Sequence, residues 1–309
     1  MNGISLERNA RRNPASLEAG QGELYKRQFP YRRRISAIYG GVLQKTFQDL
    51  RKKGEKALIA FITAGDPDIK TTKKLVLEFG KSGADIIELG IPFSDPMADG
   101  PTIQASSERA LKKGTTIKDV FSLVKGIRKE SGIPIVLFGY YNPIFVYGAG
   151  RFARDAKKSG VCGVLVVDLP PEESGELKKE LKKEGLDLIY LLTPTSDGRR
   201  MRLVARNASG FIYYVSVAGV TGARGNLEKR VENEVNKVRR FTSLPVGVGF
   251  GISTPSHARS VCAYADGVIV GSAIIDIIAK NLSSRTLVKK AGSFVAGLKR
   301  EMEKSHGVV

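Results

Sequence analysis

The chain has 309 residues, 42% of them hydrophobic, so it can bury a sizeable core as one large domain or as two small ones. It contains no run of eighteen or more apolar residues, which argues against a membrane span. Its formal net charge is +19, yet no aromatic-interleaved basic stripe and no known binding module accompanies that charge. We therefore expect neither membrane nor nucleic acid as a partner.

The cysteines and histidines form no ligand pattern. Cys162 and Cys262 lie far apart without a CxxC spacing, and His257 and His306 form no HExxH pair. We expect no metal site and no disulfide, only two buried thiols of a reducing compartment.

Residues 1–41 are predicted to be a disordered basic extension. Residues 1–43 hold eight Lys/Arg against three Asp/Glu, or +5, which leaves 19 − 5 = +14 on the rest of the chain. The segment has no stable hydrophobic period and no apolar stretch of the kind found in a secretory signal. Its few serines make it a poor transit peptide. We expect a cytoplasmic protein, with a plastid location as the alternative if the extension is a transit peptide.

From residue 57 onward, short β-branched runs alternate with amphipathic, lysine-rich windows, which is typical of parallel strands joined by crossover helices. The predicted strands are Ala57–Thr63, Ala84–Leu89, Ile133–Phe138, Gly163–Val167, Asp187–Leu192, Phe211–Ser216, Pro245–Gly249 and Gly267–Val270. The predicted helices are 70–82, 104–130 with a break near Gly114, 150–159, 173–184, 199–207, 227–242, 255–264 and 285–303.

Eight strand–helix units predict an α/β fold, a (β/α)8 TIM barrel that forms the catalytic domain over residues 42–309. A doubly wound sheet is the alternative, but that fold usually needs only five or six strands. An additional helix, Val42–Lys53, precedes the first strand and is predicted to cover the bottom of the barrel.

Two carboxylates near the second strand are candidates for acid–base chemistry. Glu88 ends an apolar strand, where a carboxylate without a partner tends to take up a proton. Asp99 follows on a loop rich in Gly and Pro, where a second carboxylate can stay ionised. Structural alternatives are an ion pair for Glu88 and a turn-stabilising role for Asp99.

Two glycine-rich turns after the last two strands indicate a phosphate site. They contain Gly251 in one and Gly271 with Ser272 in the other. TIM barrels often bind phosphate on these two loops, through backbone N–H groups at the start of a short helix. A third glycine-rich segment, 219–225, holds Thr221 and Gly222 and is predicted to be a lid.

Four segments resemble the tryptophan synthase α subunit family, in collinear order over roughly residues 42–303. They run from Phe61 to Pro67, from Glu88 to Gln104, from Ala218 to Gly222 and from Gly249 to Ser253. The resemblance implies a barrel lyase that cleaves indole-3-glycerol phosphate to indole and glyceraldehyde 3-phosphate without a cofactor. It implies that Glu88 is the general acid/base and that Asp99 interacts with the indole N–H.

The resemblance also implies the substrate-binding residues. These are Phe61, Tyr140 and Tyr213 around the indole, Thr221 on the lid, and Gly222, Gly251, Gly271 and Ser272 at the phosphate. Phe138, Leu165 and Leu191 would complete the apolar wall, and Asp66 would lie near the lid.

The implied partner is a pyridoxal-phosphate β subunit in an α2β2 complex, facing the loop of Asp95 and Pro96. A stand-alone lyase that releases free indole would use the same residues and stays open as an alternative. A non-catalytic, phosphate-binding barrel is a further alternative, against which the presence of both Glu88 and Asp99 argues.

Overall fold

The computed structural model describes residues 41–216, 224–249 and 251–304. Within these ranges, eight parallel strands form a closed barrel in which each strand pairs with its neighbours in sequence and the eighth pairs with the first. The strands are β1 (Ala57–Thr63), β2 (Ile86–Gly90), β3 (Ile135–Gly139), β4 (Gly163–Val166), β5 (Asp187–Leu192), β6 (Ile212–Val215), β7 (Val246–Gly249) and β8 (Gly267–Val270).

Helices connect the strands and pack around the barrel, so the strands are buried on both faces. They are α1 (Val42–Lys52), α2 (Ile69–Lys81), α3 (Pro101–Lys112), α4 (Ile117–Arg128), α5 (Tyr141–Tyr147), α6 (Ala149–Ser159), α7 (Gly175–Lys183), α8 (Gly198–Asn207), α9 (Arg224–Arg239), α10 (Pro255–Cys262), α11 (Ser272–Ala279) and α12 (Leu287–Glu303).

Side chains at alternate strand positions point into the barrel, where they pack with α1. This interior cluster consists of Leu43, Phe47, Leu50, Ala57, Ile59, Ile86, Val136, Leu165, Ile189, Phe211 and Ile269. A Cβ on Gly267, the first residue of β8, would lie 3.3 Å from the Phe47 ring, so α1 closes the amino-terminal end of the barrel. The carboxyl ends of the strands, where TIM barrels carry their functional groups, are not covered by α1.

The prediction of a TIM barrel is confirmed, and so is the helix that covers its bottom. Three strands have the predicted bounds, and the predicted break near Gly114 separates α3 from α4. Two short helices, α5 and α11, were not among the predicted helices. The extension over residues 1–41 falls outside the described residues except for Gly41, so its disorder and the domain boundary stay predictions.

None of the helices in the described ranges combines the length and the apolar character needed to cross a membrane.

Candidate functional site

Glu88 is the most unusual residue of the barrel interior. It lies opposite Phe61 of β1 and Val136 of β3, one position before the end of the apolar run of β2. Its side chain has 0% exposure, and neither carboxyl oxygen has a hydrogen-bond partner among the described residues. Burial raises the pKa of Glu88 to about 8, because the ionised form would lose its hydration without compensation. The carboxyl group is therefore protonated at neutral pH.

Asp99 lies on the loop between β2 and α3 and is less deeply buried. Burial raises its pKa to about 6, while a hydrogen bond from the Tyr140 hydroxyl acts in the opposite direction. Asp99 is mainly ionised at neutral pH. The two carboxyl groups thus differ in protonation state because their surroundings differ, as an acid and an anionic stabiliser require.

Tyr140 joins the end of β3 to this loop. Its hydroxyl accepts the Ala98 N–H at 3.0 Å and is also hydrogen-bonded to Asp99. Its ring packs against Phe93 with centroids 5.2 Å apart. Tyr140 is 4% exposed. Burial and the charge of Asp99 raise the pKa of its hydroxyl, which stays protonated.

Tyr213 projects into the barrel interior from β6. Burial raises its pKa well above the ordinary value, and the nearby carboxyl groups of Glu88 and Asp99, when ionised, raise it further. A Cβ on Gly249 would lie 2.7 Å from Cζ of Tyr213, so a residue without a side chain is needed on the neighbouring strand. Tyr213 therefore places a neutral ring close to both carboxyl groups.

Aromatic and aliphatic side chains form an apolar wall at the same end of the barrel. The rings of Phe61 and Phe138 meet edge to face with centroids 5.1 Å apart. Phe138 and Leu191 are only partly buried, which leaves their surfaces open to the barrel mouth, whereas Leu165 is fully buried in the interior cluster. Cβ atoms on Gly90 and Gly271 would lie 2.9 Å and 3.3 Å from the Phe61 ring, so these glycines make room for it.

The phosphate-binding residues that the sequence predicts are partly described. Gly271 is the N-cap of α11, where it forms no side-chain cap hydrogen bond, and Ser272 begins this helix and is exposed. The helix start thus offers backbone N–H groups and the positive end of its dipole. Gly251 follows β7 with φ of 74°, a conformation that favours glycine. Thr221 and Gly222 lie outside the described residues.

An ion pair that the sequence did not indicate supports the acidic loop, as we call residues 91–100 between β2 and α3. Asp66, 1% exposed, accepts two hydrogen bonds from the Arg109 guanidinium at 2.7 and 2.8 Å. Asp66 follows β1, and Arg109 lies on α3, the helix that begins two residues after Asp99. The pair anchors that helix to β1. Its partners are 43 residues apart, and no motif links them in sequence.

In the ranges that the structure describes, no cluster of three or more His, Cys, Asp or Glu side chains is placed to hold a metal ion.

The closed parallel barrel, with its two carboxyl groups and apolar wall at the carboxyl ends of the strands, defines a (β/α)8-barrel enzyme whose site lies at this end. A family model described as the tryptophan synthase alpha chain matches residues 47–305. The chain belongs to this family.

Individual relatives agree with this assignment. The chain is 58% identical over 254 residues to the tryptophan synthase alpha chain of Geotalea uraniireducens, covering 82% of this chain and 95% of the relative. Among solved structures, tryptophan synthase subunit alpha from Legionella pneumophila has a TM-score of 0.80 at 39% identity, covering 85% of this chain and 99% of that one. A tryptophan synthase structure from Mycobacterium tuberculosis has a TM-score of 0.74 at 33% sequence identity, and the match covers 83% of this chain and 98% of that one.

The enzyme is accordingly a carbon–carbon lyase of tryptophan biosynthesis that cleaves indole-3-glycerol phosphate.

Proposed function

We propose that Glu88 is the general acid and base of this cleavage and that Asp99 stabilises the positive charge that develops on the indole nitrogen. The observation that carries this proposal is the state of Glu88, a fully buried carboxyl group with no hydrogen-bond partner among the described residues. A pKa of about 8 keeps a proton available at neutral pH, as a general acid requires.

In the first step, the protonated Glu88 donates its proton to C3 of the indole ring. The five-membered ring loses its aromaticity, and positive charge builds on the ring nitrogen. The ionised Asp99 accepts a hydrogen bond from the indole N–H and stabilises this charge.

In the second step, the bond between indole C3 and the glycerol side chain breaks, and its electron pair returns to the ring. The Glu88 carboxylate takes the proton of the hydroxyl on the carbon that becomes the aldehyde. Indole and glyceraldehyde 3-phosphate leave, and Glu88 is protonated again. Protons balance over the cycle, so these two side chains suffice for the proton transfers.

Substrate binding is assigned to the surrounding residues. Phe61, Tyr140 and Tyr213 would enclose the indole ring. The phosphate would bind backbone N–H groups at Gly251, Gly271 and Ser272, where the start of α11 favours an anion. Thr221 and Gly222 would close over the substrate from the loop after β6.

A β subunit that carries pyridoxal phosphate is the proposed partner, in an α2β2 complex that receives the indole. The support is an exposed apolar group on one side of the barrel mouth. Met97 is 93% exposed, Phe145 63% and Val146 76%. Met97 is on the loop of Asp99, and the other two lie on α5, directly after the Tyr140 that this loop contacts. Such a patch is typical of a surface that another protein covers.

The family membership favours this subunit role over a stand-alone lyase that releases free indole. We also propose a cytoplasmic location for the assembled enzyme.

The test of the catalytic assignment is indole release from indole-3-glycerol phosphate by the Glu88→Gln and Asp99→Asn variants. The amide keeps the volume of Glu88 but transfers no proton, so the rate should fall by roughly 10² to 10⁴-fold. Glu176→Gln, which changes an exposed glutamate on α7, is the matched control and should be as active as the wild type. A Glu88→Gln variant with more than about a tenth of wild-type activity would remove Glu88 from this role.

A further inference from the structure

The loop of Asp99 is exposed along most of its length, although Asp99, near its end, is proposed to act inside the barrel. Ser94, Asp95, Met97 and Ala98 are exposed to solvent. Hydrogen bonds within the loop and to the helix that continues from it, such as Gln104 Nε2 to the Asp99 carbonyl at 2.8 Å, shape the segment. They join the loop to α3, which the Asp66–Arg109 ion pair anchors to β1, but they involve only backbone atoms of Asp99 and leave its carboxylate to be positioned by another contact.

Tyr140 ties this loop to a different strand at three places. Its ring packs against Phe93 where the loop leaves β2. Its hydroxyl accepts the Ala98 N–H and donates to the Asp99 carboxylate where the loop reaches α3. One hydroxyl has one proton and two lone pairs, so it can serve a donor and an acceptor together. The directions of both bonds are thereby fixed, because a backbone N–H cannot accept and a carboxylate cannot donate.

Tyr140 is itself held firmly. Its side chain is 4% exposed. The peptide N–H that follows it, from Tyr141, donates to the Asp168 carboxylate at 2.8 Å, which fixes the chain at the end of β3. A rigid ring with its hydroxyl at a fixed point can therefore position the two residues that it contacts.

We infer that Tyr140 is a positioning residue for Asp99: its hydroxyl holds the acidic loop against β3 and aims the Asp99 carboxylate into the barrel mouth. This inference rests on the catalytic role proposed for Asp99. It assigns to the hydroxyl a function separate from the contact of the Tyr140 ring with the indole. Misplacing a charge-stabilising group by about 1 Å can cost on the order of 10²-fold in rate.

The test is the Tyr140→Phe variant, which keeps the ring and its packing on Phe93 and removes only the hydroxyl. We expect kcat for indole release to fall by about tenfold or more, with little change in KM. Tyr141→Phe is the matched control, since it makes the same chemical change one residue away, and it should keep wild-type kcat when the enzyme is assayed without a partner.

The pH profile gives a second readout that a merely structural role would not move. The Tyr140 hydroxyl lowers the pKa of Asp99, so removal of the hydroxyl should move the acid limb of the kcat profile to higher pH. The other ionisable groups here are Glu88, which is protonated in this range, the neutral Tyr213, and Asp168 beside Tyr140. Each of them remains in the variant, so the shift reports the lost hydrogen bond.

A double-mutant cycle separates this inference from the catalytic proposal. In an Asp99→Asn background, Tyr140→Phe should cause no comparable further loss, because the group that it positions is gone. Wild-type kcat and pH profile in Tyr140→Phe, together with a strongly impaired Asp99→Asn, would overturn the positioning role alone. A rise in KM at constant kcat would also overturn it, since that result indicates only a pocket wall. An active Asp99→Asn would overturn the catalytic proposal instead.

Discussion

Two carboxyl groups on one segment of chain differ in protonation because one is deeply buried and the other only partly. Glu88 projects from a strand into the barrel interior, whereas Asp99 lies on a loop and receives a hydrogen bond. Burial raises both pKa values, to about 8 and about 6. The interval between these values includes neutral pH, where one group can donate a proton while the other carries charge.

The activity should therefore have a bell-shaped pH dependence. The proposed mechanism needs Asp99 ionised and Glu88 protonated, so kcat should fall below about pH 6 and above about pH 8. Steady-state indole release from pH 5 to 9 at saturating substrate measures both limbs.

The second pKa of the substrate phosphate is also about 6, so the acid limb needs a control. Asp99→Asn lacks the carboxyl group but binds the same substrate. An acid limb that survives unchanged in the residual activity of this variant would belong to the phosphate and would contradict the assignment to Asp99.

The buried carboxyl group of Glu88 should also make folding stability depend on pH. Its pKa is about 8 in the folded protein and near the ordinary value of 4.5 in the unfolded chain, so the folded state binds the proton more tightly. The resulting stabilisation is fully present below about pH 4.5 and is lost as pH rises to about 8, by about 1.4 kcal/mol per pH unit.

Glu88→Gln should remove this dependence. The free energy of unfolding of the variant, relative to that of the wild type, should therefore increase from pH 5 to pH 8. Urea unfolding at both pH values measures the difference. Glu176→Gln, which changes an exposed carboxyl group, should follow the wild type. An equal stability difference between Glu88→Gln and the wild type at the two pH values would mean that Glu88 is not protonated in the folded state.

At the scale of elements, the strands and long helices follow from periodicity, while the two short helices near the site do not. The seven residues of α5 are too few to reveal a 3.6-residue period. Six of the eight residues of α11 are apolar, with Ile274, Ile275 and Ile278 buried, so their sequence does not distinguish a helix from a buried strand. Packing against β1, α3 and α12 stabilises α11, whereas α5 buries only Ile144 and packs against α6.

The start of α11 offers a test of the phosphate site. Ser272→Asp places a negative charge in the first turn, where it favours the helix but repels a bound phosphate. We expect an increase in KM of about tenfold or more, corresponding to about 1.4 kcal/mol, with kcat and melting temperature little changed.

Ser122→Asp adds the same charge on the exposed face of α4 and serves as the control. A KM for Ser272→Asp that equals the control value would place the phosphate elsewhere.

At the scale of the whole molecule, one end of the barrel is sealed by α1 and the other presents the carboxyl groups and an exposed apolar patch. The proposed β subunit, which would receive the indole, is expected to bind at the second end. Residues 1–40 precede α1 and lie outside the region that matches the family, 47–305, so we expect them to be dispensable for both activity and assembly.

Titration with a β subunit tests this arrangement. Val146→Asp should abolish stimulation of indole-3-glycerol phosphate cleavage while the activity without partner is unchanged, because an exposed valine on α5 becomes charged. Deletion of residues 1–40 should leave stimulation equal to that of the full chain. Stimulation that survives Val146→Asp but is lost on deletion would place the extension in the interface, and no stimulation of any form would favour a stand-alone lyase.

The sequence by itself determined the barrel, its sealed end and the candidate pair Glu88 and Asp99, because strand and helix periods and local motifs are written in neighbouring residues. Only the tertiary structure decided which groups meet. Arg109 reaches Asp66 across 43 positions, and Tyr140 reaches Ala98 across 42, without any periodic signal. Likewise, whether the carboxyl group of Glu88 has a partner depends on what every other strand places around it, and this burial sets its pKa and thereby its fitness as an acid.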